Sequence, residues 1–383
     1  MLAGIFWVSL LLGVYPYLLY PLAVRLVAAL VRRPVRQDES YLPAVTIVTA
    51  AFNEARHIEA TVQNKLAQDY PPDRLEVLVV SDGSEDGTDE RVTKIAACDP
   101  RVRLIRQEPR QGKTSGLNLA VPQARGEIIV FADANSIYRP DALRCLVRNF
   151  ADPKVGYVTG QMLYVSADGS LVGDGCSAYM RYENMLRRAE TCIGSIVGVD
   201  GGVDAARKAL YRPMRADQLP DFILPLNVVQ QGYRVVYEPD AVLNEDTLST
   251  QAAEYRMRVR VALRSFWALW DKRALLNPLR YGLFAWQLFS HKLLRYLSFI
   301  PLAVATASNW WLLDAAPLYQ LAGAAQIAFA VLVVLALAGP KLLANNPLSR
   351  YCYYFFLLNW SSAVAFGRFL AGHKQVLWQP RVG

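Results

Sequence analysis

The sequence predicts an α/β protein: a doubly wound, mostly parallel sheet, with apolar helices at both ends of the chain. Three observations predict this. Short runs rich in branched apolar residues alternate with helical segments between Val45 and Ala132, the pattern of right-handed β-α-β crossovers. Polar and acidic residues follow these runs directly, at the strand ends where open α/β sheets bind ligands. The chain is 53% hydrophobic and only 19% charged, too apolar for an ordinary soluble domain, and the excess sits at its two ends.

The elements follow in order. Residues 2–24 are nearly all apolar, long enough to cross a bilayer core of about 30 Å. No basic residue precedes this run, whereas Arg25, Arg32, Arg33 and Arg36 follow it. A signal peptide would show the reverse; the positive-inside rule puts Met1 outside and residue 36 onward in the cytosol. Strands are expected at 45–51, 75–80, 102–106 and 128–132, and helices at 55–68, 88–98 and 113–124. The run from Ile128 to Ala132 ends in Asp133, Ala134 and Asn135. Oxygen ligands at that spacing suit a hard divalent cation that also holds phosphate; Asp and Asn also serve as ordinary turn residues. Asp82 ends the second strand and can face the same crevice.

Common phosphate loops are absent. No GxGxxG follows the first strand, and Gly112-Lys113-Thr114 lacks the glycine that a P-loop requires at position 107, which is Gln107. Five cysteines at 98, 145, 176, 192 and 352 form no CxxC pair, which favours reduced thiols over disulfides or zinc. The net charge of +8 suits nucleic acid, lipid headgroups or nucleotide phosphates. Arg256, Arg260 and Arg264 recur every four residues, with Val259, Leu263, Phe266 and Trp270 on another face. That pattern reads as a basic amphipathic helix on an anionic membrane surface, or as a solvated charged face.

Several of these motifs, in this order, resemble the membrane-linked branch of the family 2 glycosyltransferases, including the poly-N-acetylglucosamine, hyaluronan and cellulose synthases. The resemblance runs from about Val45 through Leu269 and implies a GT-A type fold. Ala51-Phe-Asn53-Glu54 looks like the first nucleotide-contacting turn and Asp82-Gly-Ser84 like the uridine-binding motif. Gly112-Lys113-Thr-Ser-Gly-Leu-Asn118 is similar to the GKxxxLN segment beside the nucleotide. Asp133-Ala-Asn135 resembles the DxD metal motif for Mg2+ or Mn2+, with an amide replacing the last acid. Gly201 and Gly202, in Gly198-Val-Asp-Gly-Gly202, fall at the sugar-binding floor; an ordinary tight turn is the other reading. Asp221 falls on the catalytic aspartate, with Pro220 where the family often has Glu; it could also cap a helix starting at Phe222. Met257-Arg258-Val-Arg260-Val261 aligns with the QRxRW motif without its Gln and Trp, and implies that Arg258 and Arg260 meet the donor diphosphate.

The resemblance thus implies a membrane-bound, metal-dependent, inverting enzyme. It would move a sugar from a UDP-sugar to a lipid-linked saccharide or a polysaccharide. A processive β-polysaccharide synthase and a non-catalytic nucleotide-sensing scaffold are the alternatives. A nucleic-acid role is not expected, because the arginines cluster at membrane edges. The expected layout is an amino-terminal transmembrane helix (1–31), a cytosolic domain (43–250), interface helices (251–290), transmembrane helices (291–372) and a tail (373–383). The expected location is the inner (plasma) membrane, multi-pass. Spans are expected at 293–313, 318–338 and 351–370. His291, Lys292, Arg295, Lys341 and Arg350 suit the inside, but Arg368, Lys374 and Arg381 conflict with that parity. Either the tail lies outside or residues 281–287 dip into the membrane and return.

Overall fold

The computed structural model describes residues 1–164, 171–245, 251–338 and 346–376; of residues 164, 171–178 and 245 it describes the backbone alone. Lys341, Arg381 and the Cys176 side chain therefore lie outside the described parts.

Strands β1 (Val45–Ala51) and β2 (Leu75–Ser81) are buried at every position, because helices cover both faces of the sheet. On one face Val48, Leu78, Val80, Ile129 and Phe131 pack with Leu117 and Ala120. On the other, Val77 and Val79 pack with Ile58, Val62 and Val92. The remaining strands are β3 (Val102–Arg106), β4 (Ile128–Asp133), β5 (Ile137–Tyr138), β6 (Val155–Tyr164), β7 (Val203–Arg207) and β8 (Arg234–Glu245). They form one sheet in the order β3-β2-β1-β4-β7-β6-β8-β5.

The expectation of a mostly parallel sheet holds for β3-β2-β1-β4. Beyond β4 the sheet is mixed. β7 is antiparallel to β4 and β6, β8 is parallel to β6, and β5 is antiparallel to β8. The difference matters for the site. β7 starts opposite the end of β4, with Val203 beside Ala132, so the loop before it passes over the carboxyl edge of the parallel half. The turns after β1, β2 and β4 open on that same edge, where β1 feeds β2 on one side and pairs with β4 on the other.

The helices are α1 (Leu2–Val14), α2 (Leu19–Leu30), α3 (Ile58–Leu66), α4 (Thr88–Cys98), α5 (Lys113–Ala120), α6 (Ala142–Val147), α7 (Leu171–Ile193), α8 (Pro220–Gln230) and α9 (Gln251–Asp271). The helix expected from residue 55 starts at Ile58, after a turn in which the Glu54 carbonyl accepts from the His57 and Ile58 amides. α9 does not lie free on a surface. Val259, Leu263 and Phe266 pack against Ala365 of helix Pro347–Leu370, and Arg264 is buried.

The expected spans fare differently. Among the described residues only Pro317–Ala338 is a single helix long and apolar enough to cross a membrane; α1 and α2 reach that standard together but are bent by 55°. The segment expected at 293–313 is broken into Leu294–Leu297 and Phe299–Trp310. Helix Pro347–Leu370 carries Tyr353, Tyr354, Asn359, Ser361 and Ser362 through its middle, which lowers its apolarity. Residues 283–287 are helical and continue into a π-helical turn, Leu288–Leu293, with Phe284, Ala285 and Gln287 buried.

Candidate active site

The site is built around Lys113. It is the first residue of α5, placed there by Gly112 in a left-handed conformation (φ 92°). Its ammonium donates to Asp133 Oδ1 at 2.8 Å and lies 3.7 Å from Asp221 Oδ1. Asp133 ends β4 and Asp221 sits in the first turn of α8. The two carboxylates, far apart in sequence, thus share one cation at the sheet's carboxyl edge. Their side chains are 37% and 32% exposed, so both open to solvent. Burial works against the charge on Lys113, but Asp133 and Asp221 outweigh it and raise its pKa.

The Asp221 carboxyl is pushed above the ordinary carboxylate range, by desolvation first and by the Asp133 charge as well; Lys113, Arg264 and Arg260 oppose the shift. The like charge that Pro220 fails to supply is therefore provided by Asp133. Asp221 is not an N-cap. Leu219 holds that place, Pro220 is the first helical residue, and no side chain caps the helix. The helix amino terminus still favours the ionised carboxylate.

Both glycines predicted here meet these acids. Gly201 has φ 89°, and a Cβ on it would stand 2.6 Å from Asp221 Cγ and 2.7 Å from Oδ2. A Cβ on Gly202 would stand 3.6 Å from Asp133 Oδ2 and 2.7 Å from Leu243 Cδ2. Glycine is required at 201, where the backbone is left-handed and lies against Asp221; at 202 it is Leu243 that leaves no room for a side chain. The Asp133–Ser136 turn is held from below by α3. Thr61 Oγ1 donates to the Ala134 carbonyl at 2.7 Å. The ammonium of fully buried Lys65 donates to the Ser136 carbonyl at 2.7 Å and lies over the Tyr138 ring. Burial depresses the Lys65 pKa well below its usual value.

Asp82 is buried and bonded to a different loop. It accepts from Gln107 Nε2 and from the backbone amides of Gln111 and Gly112, and so fixes the approach of Lys113. The predicted first turn is tied to the Asp82 turn. The Asp82 amide donates to the Ala51 carbonyl, Asn53 at φ 54° accepts from the Glu85 amide, and the Glu54 amide donates to Thr88 Oγ1. Arg110 lies over the Phe52 ring.

Two expected donor contacts are engaged elsewhere. The Asn118 amide donates to the Met214 carbonyl and accepts from Tyr211 Oη and the Met214 amide, so it fastens the 211–214 segment. Arg258 pairs with Glu254 at 2.8 Å and donates to Tyr354 Oη at 2.6 Å. Arg260 is close enough to Asp221 and Asp133 for their charges to act on it. Arg264, one turn on, is a site residue that sequence reasoning read only as part of the basic helix face. It is buried, donates to the Gln218 carbonyl, and feels Asp221. Sequence reasoning missed Asp204 on β7, which accepts from Tyr157 Oη at 2.9 Å and whose pKa burial raises to about 7. Lys65 and Thr61 gave no signal beyond lying on one face of α3.

Among the described residues no group of three or more His, Cys, Asp or Glu side chains is arranged to hold a metal ion. A divalent cation at this edge would meet Asp133, whose Oδ2 lies beside the opening that Gly202 leaves, with half-buried Asn135 two residues on as a second oxygen donor in the motif. That donor set fits an ion that completes its shell with substrate oxygens.

Residues 46–205 match the sequence model described as Glycosyl transferase family 2. The chain carries a family 2 glycosyltransferase domain. The matched span includes Asp82, Lys113, Asp133, Asn135, Gly201 and Gly202; Asp221 and Arg260 lie beyond it. The chain is 29% identical over 226 residues to the poly-beta-1,6-N-acetyl-D-glucosamine synthase of Staphylococcus aureus, covering 58% of this chain and 54% of that protein. It is 23% identical over 279 residues to the Staphylococcus epidermidis protein of the same name, covering 70% and 67%. The chain thus spans about half the length of the Staphylococcus aureus relative. Among solved structures, a mannosyltransferase from Pyrobaculum calidifontis, in complex with GDP-Man and Mn2+, superimposes with a TM-score of 0.72 at 25% identity. That match covers 97% of this chain and 99% of the other. The glycosyltransferase domain and the terminal helices therefore follow one known arrangement together.

Proposed function

We propose that the chain is a membrane-embedded, inverting glycosyltransferase of cell-surface or exported polysaccharide synthesis. It transfers a sugar from a nucleoside diphosphate donor to a lipid-linked saccharide or polysaccharide, with its catalytic domain in the cytosol. The observation that carries this reading is the Asp133–Lys113–Asp221 cluster at the carboxyl edge of the parallel strands. Asp221 is the base that takes the proton from the acceptor hydroxyl as it attacks the anomeric carbon. Its raised pKa strengthens it as a base, while the charge of Lys113 keeps that rise in check. Attack opposite the leaving group inverts the centre, so an α-linked donor gives a β-glycoside. One protein carboxylate is enough, because a leaving diphosphate needs no general acid, whereas a glycosidase flanks its bond with two. Asp133 and Asn135 would hold Mg2+ or Mn2+, which neutralises the diphosphate. Lys113 and Arg260 supply further positive charge beside it. Gly201 keeps the acceptor loop against Asp221.

The donor base is read as uridine from Asp82-Gly-Ser84, although the solved mannosyltransferase was captured with GDP-Man. Nucleotide release by the purified protein with Mn2+ and a panel of UDP- and GDP-sugars tests both points. Release from a UDP-sugar with a sugar-extended product supports the reading. Binding without turnover of any donor would favour a nucleotide-sensing scaffold. The names of the staphylococcal relatives favour a second reading, a processive β-polysaccharide synthase. It predicts a ladder of products by mass spectrometry, where single addition gives one new species.

A further inference from the structure

A second polar region lies outside the catalytic cleft, at the seam between the glycosyltransferase domain and the terminal helices. It is a cavity of about 60 Å3 whose walls include Arg258, Lys292, Arg295, Tyr179, Val261 and Ser362. These come from α9, α7, the 288–297 segment and helix Pro347–Leu370.

The charges around it are sorted by depth. Glu183 pairs with Lys292 at 3.7 Å and with Arg295, and it also faces His291 at 3.3 Å. Glu254 pairs with Arg258. Both carboxylates are 2% exposed, whereas the three cation side chains are 12–16% exposed and line the cavity. The acids stand behind and the cations in front. Two permanent cations also lean on the single carboxylate of Glu183. Glu190, fully buried, stands 2.6 Å from His291 on the same inner side, so the cluster is balanced within, while the side that meets the cavity carries the cations. Ser361, also on the cavity wall, has a buried hydroxyl with no hydrogen-bond partner and adds a neutral donor.

Lys292 links the cavity to the loop beside Asp221. A Cβ on Gly198 would stand 2.3 Å from Lys292 Nζ, so Lys292 touches the loop that ends in Gly201 against Asp221. Arg187, from α7, also holds this loop, donating to the Gly198 carbonyl and pairing with Asp200 at 2.6 Å.

We propose that this cavity binds a phosphate group, and that its source is the phosphate of a lipid-linked acceptor whose sugar is thereby presented to Asp221. This rests on the transferase reading above, but binding is measured without donor, so the two fail separately. The site lies on the terminal helices' side of the floor, where a lipid chain would leave between apolar helices. A phosphate has the charge and the tetrahedral acceptor oxygens that Arg258, Lys292 and Arg295 are placed to meet.

The test uses the full chain in detergent micelles with three probes: geranylgeranyl phosphate, geranylgeraniol, and inorganic phosphate. The lipid phosphate is expected to bind at least about tenfold more tightly than the alcohol. Lys292→Met should weaken it by about tenfold, and Val261→Trp, which fills the cavity from α9, should do the same. Nucleotide affinity should stay unchanged in both variants. Inorganic phosphate binding as tightly as the lipid phosphate would keep the phosphate site but overturn the lipid as its source. Equal binding of alcohol and lipid phosphate, or lipid-phosphate affinity unchanged in both variants, would overturn the site itself.

Discussion

Two ionic clusters in this molecule turn opposite charges to open space. In the cleft, one ammonium, Lys113, stands between two carboxylates that are about one third exposed. At the seam, two buried carboxylates, Glu183 and Glu190, stand behind His291, Lys292 and Arg295, with Lys292 and Arg295 turned to a cavity. The first has a surplus of accessible negative charge, which suits a cation that brings phosphate with it. The second presents positive charge, which suits an anion directly. The difference teaches that counting salt bridges says little about a cluster's role. What matters is which sign faces the open space.

The largest effect should come from the base. Asp221→Asn is expected to lower the transfer rate by about 10²–10⁴-fold while donor affinity, measured by titration, stays within a few-fold. Equal loss of both would make the residue part of the scaffold and break the contrast. Gly201→Ala comes next. Its φ of 89° and the 2.6 Å approach to Asp221 Cγ predict a rate loss of about tenfold or more, with destabilisation of about 1–3 kcal/mol, read by turnover and by denaturant melts. An alanine enzyme with native rate would show that the loop is not needed against the carboxylate.

The pH profile sharpens the same point. As the proposed base, Asp221 would work only when deprotonated, and its pKa is raised. The rate should therefore fall as pH drops, with its midpoint above the usual carboxylate range, and Asp221→Asn should lack that limb. The smallest effect concerns Asp204. Its folded pKa of about 7 lies above the ordinary value of 3.8, so the folded state binds more protons than the unfolded one between these values. Stability should decline as pH rises through that window and level off above it. Asp204→Asn should abolish that decline and raise the melting temperature at pH 8 by about 2 °C or more. An unchanged pH dependence would show that another group is responsible.

Much of the parallel half was legible. Strands 45–51 and 102–106 and helix 88–98 coincide with β1, β3 and α4, because buried runs and their turn residues are local signals. The positions of Asp133, Lys113 and Gly201 followed from motifs in which each residue type has its own chemical reason. What was not legible depends on partners distant in sequence. Nothing near Arg258 indicates Tyr354, nothing near Asn118 indicates Met214, and nothing on α3 says that Lys65 supports the metal-motif turn. A four-residue arginine repeat defines a helix face but not what covers it, so α9 read as a surface helix although helix Pro347–Leu370 packs along it. The reversed β7 escaped notice for the same reason: its direction is set by where loop 194–202 returns, not by its own sequence.

The most direct test of the central claim, that Asp133 serves the donor and Asp221 the acceptor in one cleft, is a Mn2+ titration of donor binding and single-turnover transfer in Asp133→Ala and Asp221→Asn side by side. The account predicts that Asp133→Ala loses metal-dependent donor binding, whereas Asp221→Asn keeps it and loses transfer. Metal dependence that is unchanged in Asp133→Ala, or the same defect in both variants, would contradict it.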